Sequence, residues 1–339
     1  MKLYNIRGML AAILVALWVI SCGENTTFVE KNGQLSVKGT QLVNAKGDTL
    51  VLRGMSFGWS NWWPQFWNAE VVSELVYDWR CTVIRAAMGV EHEDGYLDRP
   101  QYSDSLVRNV VDACLDEGVY VIIDWHDHNA VEHLREAQAF FKEMARSYGD
   151  YPNVIYEIFN EPDHETWAAV KAYSDSVIRS IRDIDPDNII LVGSPHWDQD
   201  VHLAADDPLT GYSNIMYTLH FYAKTHKQWL RDRGDYALQK GLPLFVSEYG
   251  ASEASGDGGL DIESWRQWIE WMEANQISWV KWSIADKQET CSALLPGADA
   301  YASWTEADLD TSGALSRQIL RALNAETQKN WRDILKREN

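Results

Sequence analysis

The amino-acid sequence predicts a single (β/α)8 barrel of the α/β class preceded by small β-hairpins. Three observations carry that expectation. Eight short runs rich in apolar and β-branched residues recur from about residue 50 onward. Amphipathic helical patterns fill the intervals, and alternating strand and helix implies parallel strands joined by right-handed crossovers. The 339 residues suit such a barrel, for which about 250 residues plus insertions is usual, and they require no second core.

Taken in chain order, the N-terminus reads as an export signal: Lys2 and Arg7, the apolar run Met9 to Ile20, then Ser21-Cys22-Gly23. The run has 12 residues, too few for a helix that spans a bilayer. A cysteine directly after such a run resembles a bacterial lipoprotein cleavage site. Residues 1–22 are then the leader and Cys22 the acylated residue, with an ordinary signal peptide cut nearby as the alternative. The expected address is the cell envelope or cell surface, or else the periplasm or the medium. Residues 23–32 are expected to form a polar tether, so that membrane contact comes only through the lipid anchor.

Gln34 to Val37 and Gln41 to Val43, with turn signals at Gly39 and Asn44 to Asp48, predict hairpins plugging the N-terminal end of the barrel. Strands are expected at Leu50 to Phe57, Thr82 to Met88, Tyr120 to His126, Val154 to Glu161, Asn188 to Ser194, Ile215 to Tyr222, Pro243 to Tyr249 and Trp279 to Ala285. Helical patterns include Asp104 to Glu117, Ala130 to Tyr148, Trp167 to Asp183 and Asp261 to Asn275. Thr311 to Leu323 supplies the closing helix, so the barrel domain runs over residues 33–323 and residues 324–339 are expected to be a charged tail, its end Gln328 to Asn339 a frayed helix or tail. No linker or repeat marks off a separate binding module, and a monomer is expected.

A net charge of −20 excludes nucleic acid and anionic membrane surfaces as partners, because both would be repelled. The expected partner is neutral. The chain holds 17 Trp and 15 Tyr, and flat rings of this kind stack on the apolar faces of pyranose sugars. Trp265, Trp268 and Met272, however, fall at i, i+3 and i+7 and read as helix core. After Cys22 the cysteines are Cys81, Cys114 and Cys291, an odd number, so buried free thiols are expected rather than a disulfide framework. CxxC and HExxH spacings are lacking, and His128 and His133 are five apart, which misses the i, i+4 geometry of a helical metal pair. Neither a metal nor an organic cofactor is expected.

Polar residues gather where the predicted strands end: Arg85, Asp124 with His126, Asn160 with Glu161, His220 with Tyr222, Glu248 and Trp282. Each alone has an ordinary structural explanation, such as an ion pair or a satisfied core histidine. Six strand ends of the same polarity point instead to one functional mouth, since barrels of this class present their chemistry at the C-terminal ends of the strands. Glu161 and Glu248 each close an apolar run. Two such carboxyl groups about 5 Å apart are what a retaining glycosidase needs, one to protonate the leaving oxygen and one to attack the anomeric carbon.

Arg85, His126, Asn160-Glu161-Pro162, His220 with Tyr222, Glu248 and Trp282 resemble the residue set of glycoside hydrolase family 5. The strings Arg53-Gly54-Met55-Ser56, Trp197-Asp198-Gln199-Asp200, Ser252 to Gly259 and Asp286-Lys287-Gln288-Glu289-Thr290 resemble its bacterial endoglucanase branch, and the likeness runs from about Gln34 to Leu323. The resemblance implies that Glu161 is the acid/base and Glu248 the nucleophile, kept ionised by Arg85 and the Tyr222 hydroxyl so that the proton rests on Glu161. It implies that Asn160 binds the sugar 2-hydroxyl, that His126 and His220 complete the cage and that Trp282 floors the central subsite. Lys287, Glu289 and the Ala254 backbone would hold the next glucosyl unit, with Trp62 and Trp197 stacking on sugars farther out. The substrate implied is a β-1,4-glucan, cut internally. A β-mannanase, xylanase or mixed-linkage glucanase is the alternative within the clan, and a non-catalytic glycan-binding lipoprotein the alternative outside it. Relatives usually carry His, Tyr and often Trp where this chain has Gly58, Gly89 and Tyr249.

Overall fold

The computed structural model describes residues 26–325 and 330–336. The leader and Cys22 lie outside the described residues. Strands β1 (Ser36–Lys38) and β2 (Gln41–Val43) pair antiparallel as the expected hairpin. The barrel strands are β3 (Arg53–Phe57), β4 (Val83–Gly89), β5 (Tyr120–His126), β6 (Val154–Glu157), β7 (Ile189–Val192) and β8 (Ile215–Thr218), followed by β9 (Phe221–Tyr222), β10 (Leu244–Gly250) and β11 (Trp279–Ile284). All pair parallel, and β11 bonds to both β3 and β10, which closes the sheet. The predicted sixth strand is interrupted: β8 stops at Thr218 and the two-residue β9 resumes against β10, leaving His220 in the break.

Helices wrap the barrel between strands, and their ends follow local chemistry. Asn68, Thr166 and Asp261 cap Ala69–Tyr77, Trp167–Arg182 and Ile262–Ala274 by accepting backbone N–H bonds in the first turn. Pro100–Glu117 ends at Gly118, which takes the left-handed conformation at φ 66°. The large core lies between sheet and helices, and Trp265, Trp268 and Met272 are fully buried in it.

The inside of the barrel changes character along its axis. At the N-terminal end Leu52, Val83, Ile122, Ile155, Met216, Phe245 and Val280 form one apolar cluster, closed from below by Val29, Leu35 and Leu42. Two residues farther along the same inner faces stand Arg85, Asp124, Glu157, Thr218, Ser247 and Trp282, all buried. Side chains two apart share a strand face, so the apolar layer is the floor beneath a polar chamber.

One expectation near the N-terminus is corrected. Phe28–Asn32 is a helix capped by Thr27, and its Val29 N–H donates to Gly118 O at 2.8 Å while Phe28 packs edge-on against Tyr120 at 6.0 Å. Apolar Phe28 and Val29 gain more on the barrel floor than in water, so the tether expected over residues 23–32 does not include them. At the other end Trp331–Ile334 takes the helical form of the two expected there, and Trp331 and Leu335 are buried against the barrel. Cys81, Cys114 and Cys291 are free and buried. Among the described residues no helix is long and apolar enough to cross a membrane.

Candidate active site

Arg85 is the hub of the polar chamber. Its fully buried guanidinium donates to Glu157 at 2.7 and 3.2 Å, to Glu248 Oε2 at 2.8 Å and to Asn160 Oδ1 at 2.7 Å, and it stands 2.9 Å from Asp124 Oδ2. Burial disfavours the cation, but Asp124, Glu157 and Glu248 more than offset it and raise the Arg85 pKa. Asn160 uses its oxygen on Arg85, whereas its buried Nδ2 has no partner among the described residues. A buried amide donor left open in this way costs stability unless something else accepts from it.

Both glutamates reach the chamber through breaks in strand alternation. Along β10, Phe245 and Ser247 face inward and Val246 outward, so strict alternation would send Glu248 out. The register with β11 shifts between Val246 and Tyr249, and such a bulge re-aims a side chain. Glu248 thereby turns inward, where its Oε1 accepts from the Tyr222 hydroxyl at 2.8 Å. The β6 pairing ends at Glu157, short of the expected Glu161. Ile158 and Phe159 both face the outer core. Asn160 and Glu161 follow on an extension whose N–H groups donate to Trp125 O and Asp127 O. One carboxylate oxygen of Glu161, one of Glu248 and a ring nitrogen of His220 all lie within 4.8 Å of one another.

His220 joins the two halves of the site. Its Nδ1 is 2.9 Å from Glu161 Oε1 and its Nε2 2.8 Å from Ser247 Oγ, which donates to Glu157 at 2.7 Å. Burial works against its charge, but Asp198, Glu157 and Glu161 raise its pKa well above the usual imidazole range. On the other oxygen of Glu161 stands His128, with Nε2 at 3.5 Å. Burial pushes the Glu161 carboxyl up, while the neighbouring imidazoles of His128 and His220 pull it down, to about 2. Burial and the Glu161 charge raise the Glu248 pKa, with Arg85, His220 and Tyr222 pulling the other way.

The remaining expected residues surround this centre. His126 Nδ1 is 2.7 Å from Asp124 Oδ2, and its ring stacks on Trp282 at 5.2 Å and 3°. Burial and Arg85 depress its pKa, so it is neutral. Trp62 is exposed and stacks on Trp59 at 4.7 Å and on His92 at 5.3 Å. Trp197 is also exposed and rides on three consecutive left-handed residues, His196 (φ 62°), Trp197 (φ 53°) and Asp198 (φ 58°). The Trp197 N–H donates to Pro162 O at 2.9 Å, which ties the ring to the residue after Glu161. Lys287 and Glu289 are an ion pair beside a cavity of about 670 Å³ whose lining includes neither Glu161 nor Glu248. Ala254 commits its N–H to Thr225 Oγ1 at 2.9 Å.

The departures at Gly58 and Gly89 are linked to the extra tryptophans. A Cβ at Gly89 would lie 2.2 Å from Asn61 Oδ1 and 3.0 Å from the Trp59 ring, and one at Gly58 would lie 3.1 Å from the Trp63 ring. Rings and an amide from the segment after β3 therefore occupy the space beside Gly58 and Gly89. Sequence reasoning left Glu91, Glu157, Asp198, Ser247 and His128 without roles. Glu157 was detectable, since an acid inside the apolar run Val154 to Phe159 demands a buried partner. For Glu91 and His128 the chain offers no comparable signal.

A closed parallel barrel with two carboxylates this close at the C-terminal mouth of its strands defines an enzyme that hydrolyses glycosidic bonds. More narrowly, residues 43–288 match the family Cellulase (glycosyl hydrolase family 5), and the chain belongs to it. It is 43% identical over 331 residues to an endoglucanase of Clostridium saccharobutylicum, covering 95% of this chain and 73% of that protein. With Endoglucanase A of Evansella cellulosilytica it shares 46% identity over 281 residues, 81% of this chain but only 57% of that longer protein. Among solved structures, one from Cytophaga hutchinsonii is 51% identical with a TM-score of 0.86, covering 88% of this chain and 97% of that one. The catalytic domain of a Thermobifida fusca endoglucanase gives 33% identity and a TM-score of 0.84, covering 87% and 99%.

Proposed function

We propose that this chain is an endo-acting, retaining β-1,4-glucanase that cleaves internal bonds of cellulose-like β-glucan. The observation that carries the chemistry is the Glu161 to Glu248 approach within 4.8 Å. Retaining enzymes hold their carboxyl groups about 5 to 5.5 Å apart, whereas inverting ones need about 6.5 to 9.5 Å to admit a water. The endoglucanase relatives support the substrate.

In the first step Glu248 attacks the anomeric carbon while a proton passes through Glu161 to the leaving oxygen. In the second, Glu161 accepts a proton from the water that displaces Glu248. Arg85 and Tyr222 orient the nucleophile, and the open Nδ2 of Asn160 donates to the sugar 2-hydroxyl, a bond that strengthens at the oxocarbenium-like transition state. Trp282 floors the central subsite, Trp62 and Trp197 stack on flanking units, and Lys287 and Glu289, beside the Ala254 backbone, bind hydroxyls of the next glucosyl unit. Export as a lipoprotein through Cys22 would put a monomeric enzyme at the cell envelope. Radiolabelled palmitate incorporation that disappears in Cys22→Ala tests that address.

Glu161→Ala and Glu248→Ala should each lower hydrolysis of soluble β-1,4-glucan by several orders of magnitude. Near wild-type turnover in either overturns the assignment. NMR of the first product should show the β-anomer. Assays on carboxymethylcellulose, lichenan, xyloglucan and mannan, with viscosity loss compared to reducing-end release, test substrate and endo action.

A further inference from the structure

Among the described residues three tryptophans are exposed: Trp62 at 47%, Trp197 at 38% and Trp229 at 42%. All three stand at the C-terminal mouth of the barrel. Trp62 follows β3 and Trp197 follows β7, while Trp229 is the second residue of the helix Gln228–Gln239, which runs back along the barrel from the end of β9. The first two already have sugars to stack on, whereas Trp229 has no part in the chemistry assigned above. A large ring left in water at this place, where the other tryptophans are buried or half-buried, asks for a use.

The ring is exposed yet held. Arg233, one turn along the helix, places its guanidinium carbon 5.0 Å from the centre of the Trp229 ring, and the His226 ring meets it edge-on at 5.8 Å and 72°. Both neighbours are fixed in turn. Arg233 Nη1 donates to Asp200 Oδ1 and, at 3.2 Å, to Gln199 O. His226 Nδ1 accepts from the Tyr222 N–H at 2.7 Å, and its carbonyl accepts from the Trp268 indole at 2.8 Å. Farther along the same helix, the Tyr236 hydroxyl donates to Asp206 Oδ1 at 2.6 Å. This face therefore lies alongside the helix Val201–Asp206, and its mouth end, Trp229, is tied to the segment that directly follows the turn carrying Trp197. A ring ordered before binding gives up little freedom when a sugar arrives.

We infer that Trp229 is a stacking platform for a glucosyl unit beyond the one on Trp197, on the leaving-group side of the scissile bond. The inference rests on the reading of the site as a β-1,4-glucanase. The side follows from the bond between the Trp197 N–H and Pro162 O, next to Glu161, because the acid/base stands toward the leaving sugar. The order follows from Arg233, which links Trp229 to Asp200, three residues past Trp197. The ligand class follows from the surface: a neutral pyranose lays its apolar C–H face on a flat ring. Arg233 is already paired with Asp200, so its charge calls for no anion.

The test is the dependence of rate on chain length. On cello-oligosaccharides from trimer to hexamer, Trp229→Ala should lower kcat/KM for the hexamer about five- to tenfold and leave the trimer within about twofold. With the hexamer isotopically labelled at its reducing end, the cut should move toward that end, because binding modes that fill the outer leaving-side subsite lose their advantage. Trp229→Tyr keeps a flat ring and should retain most of the hexamer rate. An aryl β-cellobioside, whose leaving group is too short to reach Trp229, should be cleaved by both variants at the wild-type rate. An unchanged hexamer kcat/KM and cutting position in Trp229→Ala overturn the subsite. So does an equal loss on the aryl cellobioside, which marks a structural role. Wild-type protein that leaves cellohexaose uncut rejects the glucanase reading itself, whereas wild-type cutting beside an indifferent Trp229→Ala rejects Trp229 alone.

Discussion

Arg85 shows how much of the site hangs on one planar cation. Its fork reaches Glu157, Glu248, Asn160 and Asp124 at once, a geometry lysine cannot reproduce. Arg85→Lys should keep the fold but lower kcat on soluble glucan by roughly 100-fold or more, as steady-state kinetics will show. Asn160→Ala removes the unpartnered donor and should cost about 100-fold in kcat with a smaller change in KM, since the bond matters most at the transition state. Asn160 and the two glutamates were legible because each ends an apolar run, and Arg85 because a cation inside one demands a use. Glu91 and His128 were not, because their meaning lies in contacts with each other and with Glu161, far apart in the sequence.

At the scale of elements, the turn His196 to Asp198 and the N-terminal helix are the informative pieces. Left-handed backbone costs a non-glycine residue roughly 1–2 kcal/mol, and Trp197 accepts that cost at φ 53° while keeping its ring exposed. Strain retained under an exposed ring is a sign of use. Trp197→Gly should leave unfolding free energy unchanged or raised by up to about 1 kcal/mol while KM for soluble glucan rises. Chemical denaturation and kinetics on the same variant give both numbers. Phe28→Ala removes the edge-on contact with Tyr120 and should lower stability by about 1 kcal/mol with KM unaltered, because the helix seals the end of the barrel opposite the glutamates. The helix escaped the sequence reading because Phe28 and Val29 sit in an otherwise polar stretch too short to show periodicity.

For the whole molecule, the pH dependence of stability follows from buried imidazoles. His226 accepts from the Tyr222 N–H at 2.7 Å, and burial lowers its pKa from 6.5 to about 4. A depressed histidine contributes stability that is full above its unfolded pKa and is lost as pH falls from about 6.5 toward 4. His128 has the opposite sign: its stabilisation is full below about 6.5 and is lost as pH rises toward 10. Thermal denaturation from pH 4 to 10 should thus show a maximum near neutrality. His226→Gln should flatten the acidic side and leave the alkaline side alone.

The sequence by itself determined the barrel, its strand order and the polarity of its mouth, because alternating apolar strands and amphipathic helices admit few other ways of burying their faces. It also located the two glutamates. Which way they point was decided only by tertiary structure. Period-two alternation turns Glu248 away from the chamber, and the shift in pairing between β10 and β11 reverses it. Glu161 likewise depends on an extension of β6 tied to Trp125 and Asp127. The surroundings of Glu161 were decided the same way, since His128 and His220 arrive from other strands to flank it. Strand identity is local information, whereas register and charge balance depend on neighbours that only the closed barrel brings together.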